Sequence, residues 1–157
     1  MLSRIGRGLA AGAVGTLVLE SVTYLDMLLT GRPESELPAR AAERITERLG
    51  VDLGKAAANR QQALGALLGF ANGAAIGAGY GLVAGRGRPT LARGIGLGLA
   101  TMAASAVPLT VSGLSDPRRW GWRGWLEDLV PHLAYGLATS RAYAALRAGE
   151  SASRSTR

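Results

Sequence analysis

The sequence predicts an all-α membrane protein: a four-helix transmembrane bundle with a short amphipathic surface helix between spans one and two. Three observations carry this. Hydrophobic residues make up 48% of the 157-residue chain but aromatic residues only 5%, so Ala, Leu and Gly supply most of the apolar surface, a mixture that suits helices packed in lipid. The 23 glycines would cost about 1 kcal/mol each inside a soluble helix, whereas in a bilayer they let helix backbones approach closely. The stretch 65–85 carries no charge and has glycine at every fourth position, Gly65, Gly69, Gly73, Gly77, Gly81 and Gly85. As a helix it is about 31 Å long, the thickness of a hydrocarbon core.

The first span is expected over 8–29, behind the basic residues Arg4 and Arg7. A basic start and an apolar run also describe a signal peptide, but here the run continues into Glu20, Tyr24 and Asp26. Gly31-Arg32-Pro33 then breaks the helix. The polar segment that follows contains the surface helix, 38–49. Its apolar face is Ala41, Ile45 and Leu49, its charged face includes Arg40, Glu43, Arg44, Glu47 and Arg48, and Gly50 stands where a C-terminal cap belongs. Such a helix suits a membrane surface or a docking partner.

The second span is the glycine helix, 64–85. Its four-residue glycine repeat drifts about 40° per step against the 3.6-residue turn, so it is expected to be the central post of the bundle, a glycine zipper meeting several neighbours. The basic turn Arg86-Gly87-Arg88-Pro89 forces the third span, 91–114, to run antiparallel. There Gly94, Gly98, Thr101, Ser105, Pro108 and Ser112 form a heptad seam of small and polar residues. A loop with Asp116-Pro117 follows. Trp120, Trp122 and Trp125 fall within one stretch of six residues and read as an interfacial aromatic belt. The fourth span, 125–146, is interrupted by Glu127, Asp128, Pro131, His132 and Arg141. Residues 1–146 thus form one membrane domain, and the basic, Ser-rich tail 147–157 is expected to be disordered. Four spans place both termini on one side, taken as the cytoplasm.

Ionisable groups inside a membrane cost about 2.5–3.5 kcal/mol each near its centre and need a reason to be there. Depth follows from about 1.5 Å per residue. Counted from one face, Asp26, His132 and Thr110 share a shallow layer. Glu20, Asn72, Ser105 and Tyr135, one from each span, share a deeper one. This polar cluster of Glu20, Asp26, Asn72, Ser105, Tyr135 and His132 reads either as hydrogen-bond glue between helices or as an ion, proton or solute path. Glu20 and Asp26 lie about 240° apart on one helix, which argues against a carboxylate pair.

Other chemistry is poorly supported. With no cysteine and one histidine, no metal site is expected, and no cofactor or catalytic residue is implied. The net charge of +7 comes from arginines between apolar runs, as at membrane flanks, and does not imply nucleic acid. Lys55 is the one lysine among 18 basic residues, a skew that with the abundance of Ala and Gly suggests a GC-rich bacterial genome. The sequence therefore reads as a non-enzymatic protein of a bacterial cell membrane, a structural or accessory subunit or self-associating bundle. Its partners are the lipid bilayer and either another membrane protein or a second copy. The alternative is a small transporter or channel using the polar layer.

Thr23-Tyr24-Leu25-Asp26, Gly31-Arg32-Pro33, the run 63–69, and Asp116-Pro117 with Trp120, Trp125-Leu126, Asp128 and Pro131-His132-Leu133-Ala134-Tyr135-Gly136 resemble stretches in a group of small uncharacterised actinobacterial integral membrane proteins. The likeness runs from about residue 8 to residue 145. It implies a small bacterial membrane protein and carries over no catalytic role.

Overall fold

The computed structural model describes residues 2–85 and 89–155, with side chains between positions 4 and 149 of these. The helices are α1 (Leu2–Thr30), α2 (Leu37–Arg48), α3 (Ala57–Val83), α4 (Leu91–Val111) and α5 (Gly121–Ser155), with single 3-10 turns at Gly54–Ala56 and Pro117–Arg119. There is no strand among the described residues.

Among the described residues, three stretches are long and apolar enough to cross a membrane: Arg4–Thr30, Gly54–Val83 and Leu91–Val111. The expected four apolar spans are thus three. The stretch 125–146 is the middle of α5, where Arg123, Glu127, Asp128, His132 and Arg141 dilute the apolar run. Beyond residue 146, where a disordered tail was expected, α5 continues to Ser155, because Ala and Arg in that region favour a helix. The basic turn expected at 86–88 lies outside the described residues.

Glycines set the packing. Across the bundle the order is α3, α1, α5, α4, and α3 and α4 scarcely touch although they are consecutive. The centre therefore belongs to α1 and α5, not to the glycine helix. α1 runs antiparallel to α3, with Gly8 against Gly77 and Gly81 and Gly12 against Gly73 and Gly77. A Cβ on Gly77 would stand 2.5 Å from the Gly12 Cα, far inside the roughly 3.5–4.0 Å of carbon contact. α4 meets α5 the same way, Gly98 lying on the backbone of His132 and Leu133 and Gly136 on Gly98. Between α1 and α5, Gly15 leaves room for Thr139 and the Tyr135 ring.

The row of six glycines from Gly65 to Gly85 is divided accordingly. Gly73, Gly77 and Gly81 face α1, while Gly65 is pressed on the Pro38 backbone at the start of α2. A Cβ on Gly69 would meet nothing within 4 Å. Gly85 lies in the turn after α3 with φ 58°, a conformation glycine adopts without strain.

α2 packs along α3. Ala42 and Thr46 are buried and continue the line from Pro38, whereas Ile45 and Leu49 are exposed. The contact line is one residue round from the face expected at Ala41, Ile45 and Leu49, because Gly65 admits the chain at Pro38. Gly50 ends α2 as expected, with φ 65°. Its N–H donates to the Glu47 carbonyl (3.1 Å) and that of Val51 to Thr46 (2.9 Å), the pair of bonds of a Schellman cap.

Candidate functional site

A cavity of about 110 Å³ lies where the four long helices converge. Thr16, Leu19 and Glu20 line it from α1, and Gly69, Asn72 and Gly73 from α3. Thr101 and Ser105 come from α4, and His132 and Tyr135 from α5. The structure therefore brings Glu20, Asn72, Ser105 and Tyr135 around one space, together with His132, which the depth count had set a turn away.

Asp26 is not among them. It accepts from Arg32 Nε at 2.5 Å, and the same nitrogen stands 4.0 Å from a Glu127 carboxylate oxygen. Asp26 thus ties the end of α1 to the loop behind it and towards α5, away from the cavity.

Most hydroxyls on the wall donate along the helix that carries them. Thr16 donates to the Gly12 carbonyl (3.0 Å), Thr101 to Leu97 (2.7 Å) and Ser105 to Thr101 (3.2 Å). The link between α3 and α4 is Asn72 Nδ2 donating to Ser105 Oγ at 3.3 Å. His132 Nδ1 stands 2.7 Å from the Asp128 carbonyl and 3.3 Å from its carboxylate. Glu20 makes no hydrogen bond or ion pair among the described residues.

Tyr135 belongs to a second arrangement. It donates to the Gly73 carbonyl at 2.6 Å, Tyr143 donates to Gly81 at 3.0 Å, and Arg147 Nη1 donates to Gly85 at 3.1 Å. Donor and acceptor are separated by 62 residues in every pair, so α5 runs parallel to α3 in one fixed register. The Tyr143 ring also meets Tyr80 edge-on at 5.6 Å, with the Arg7 guanidinium 5.9 Å from its centroid. Sequence reasoning missed Tyr143 and left Thr16 and Thr101 out of the polar layer, although Thr101 stands in the expected seam of small and polar residues. A signal existed for the first, since Tyr135, Thr139, Tyr143 and Arg147 recur with the four-residue step of Gly73, Gly77, Gly81 and Gly85.

The tryptophans part company. Trp120 donates to Ser115 Oγ at 3.0 Å and packs its ring 5.2 Å from that of Trp125. Trp122 is 69% exposed and lies beneath Arg123. Among the described residues no group of three or more His, Cys, Asp or Glu side chains is placed to hold a metal ion. No family model, curated protein or solved structure matches the chain.

Proposed function

We propose that this is a small multi-pass protein of a bacterial plasma membrane, without catalytic activity, that holds a small polar solute in a pocket between four membrane-crossing helices. The fourth crossing helix is α5. Support for counting it comes from its place between α1 and α4, and from its polar residues Tyr135, Thr139, Ser140 and Tyr143, all buried. Both termini then lie on one side, the cytoplasm.

One observation favours a solute site over hydrogen-bond glue. Polar residues that serve only to hold helices together bond to each other, yet the cavity wall, with Asn72 bonded to Ser105 and Tyr135 to the Gly73 carbonyl, leaves Glu20 with no hydrogen bond or ion pair among the described residues. An unpartnered carboxylate at this depth is costly and is retained where a ligand or proton completes it. The test is flux of protons and small solutes in liposomes carrying the purified protein. Transport should fall to the level of protein-free liposomes in Glu20→Gln, with the amount of folded protein unchanged. Absence of flux in the unaltered protein would return the layer to a structural role.

The accessory-subunit reading has its own support. α3 and α4 scarcely touch, and Gly79 on α3 and Gly96 on α4 meet nothing, so each of these helices has room beside it for a further helix from a second copy or another membrane protein. Mass spectrometry of what co-purifies in mild detergent tests it.

A further inference from the structure

The pocket wall is a set of acceptors. The hydroxyls of Thr16 and Thr101 donate one turn back along their own helices. Ser105 gives its single proton to the Thr101 carbonyl, so its oxygen must receive the Asn72 N–H, which fixes the direction of that amide. The Tyr135 proton goes to Gly73. His132 Nδ1 faces the Asp128 carbonyl, which only accepts, so Nδ1 carries a proton, and in the neutral form of the ring Nε2 is then an acceptor. The second amide N–H of Asn72 is the one side-chain donor left. The Glu20 carboxylate, Asn72 Oδ1, His132 Nε2 and the hydroxyl lone pairs remain as acceptors, and Glu20 supplies the one formal charge on the wall.

Such a wall repels an anion and gives a neutral solute almost nothing to accept from. It matches a cation, whose attraction to a carboxylate is strong at low dielectric. One carboxylate balances one positive charge. Calcium takes six to eight oxygen ligands, commonly from several carboxylates, and zinc takes a fuller set of nitrogen, sulfur or carboxylate ligands. No such set occurs among the described residues. The cavity of about 110 Å³ has room for a small ion with a few waters, at about 30 Å³ per water.

We propose that the pocket binds one small monovalent cation, an alkali-metal ion or ammonium. Glu20 is its counter-charge, and Asn72, His132 and the threonine hydroxyls are its neutral ligands. This rests on the reading of the pocket as a solute site and names the solute class.

The test uses the full chain purified in detergent with N-methylglucamine chloride as the only salt. Its thermal unfolding midpoint is followed as sodium, potassium or ammonium chloride replaces that salt at constant chloride. The expected result is a saturable rise of about 5 °C or more with at least one small cation, lost in Glu20→Gln and in Asn72→Leu. The ranking of the three ions separates a metal ion from ammonium. Equal midpoints in all four chlorides overturn the proposal, as does a rise that persists unchanged in either variant. A saturable response to formate or nitrate, or to glycerol, in place of the cations overturns the cation class and keeps the pocket as a solute site. No response to any of them overturns both.

Discussion

Gly77→Ala on α3 should separate two helices that now touch backbone to backbone. The added methyl carbon would lie 2.5 Å from the Gly12 Cα and 2.7 Å from its nitrogen. Carbon atoms settle at about 3.5–4.0 Å, so α1 and α3 must part by about 1 Å. Forced overpacking of this kind costs about 1–3 kcal/mol, and the better helix propensity of alanine returns about 1 kcal/mol. The control is Gly69→Ala, two turns earlier on the same helix, where the new methyl meets nothing within 4 Å and only the propensity gain of about 1 kcal/mol applies. The two variants should therefore differ by about 1–3 kcal/mol with Gly77→Ala the weaker. Displacing α3 also stretches the 2.6 Å bond from Tyr135 to Gly73, so Gly77→Ala combined with Tyr135→Phe should cost less than the sum of the two. Unfolding in mixed micelles by SDS, followed through Trp120, Trp122 and Trp125, measures these variants, Tyr135→Phe included, against the unaltered protein. A Gly77→Ala protein as stable as the Gly69→Ala protein would refute the close α1–α3 seam.

Tyr135→Phe alone removes one bond to a helix carbonyl and should destabilise by about 0.6 kcal/mol and at most about 1.7 kcal/mol, the range for hydrogen bonds between membrane helices; the same SDS titration reads it. The topology of α5 can be mapped cleanly because the chain has no cysteine. Single cysteines replacing Trp122 and Ala148 should react with impermeant maleimide from opposite sides of the membrane, and labelling from the same side would remove the fourth crossing.

The sequence disclosed depth better than direction. Charge-free runs and turn residues give the helices their ends, and a fixed rise per residue then places Glu20, Asn72, Ser105 and Tyr135 at one level, where all four line the cavity. Asp26 was set near the same site by depth but points elsewhere, because its azimuth differs and Arg32 lies within reach. Azimuth depends on which glycine meets which. The row on α3 suggested a central post, yet only Gly73, Gly77 and Gly81 found α1, Gly65 found α2 and Gly69 found neither. In α5, Arg123, Glu127, Asp128, His132 and Arg141 break the apolar pattern. Its polar side chains Tyr135, Thr139, Ser140 and Tyr143 are buried, a role hydropathy does not detect.

The packing order also governs the sequence of assembly. The chain is synthesised from its N-terminus, so α1 and α3 can pair through Gly8, Gly12, Gly73, Gly77 and Gly81 while the remainder is still being made. α4 emerges next and has little to hold, since the glycines at 94 and 98 fit only against α5. Until the last segment arrives, α4 has few contacts of its own. When α5 does arrive, it recruits α4 on one side and bonds to the carbonyls of α3 on the other. A chain stopped before residue 121 would leave α4 held to α3 by little more than the Asn72–Ser105 bond.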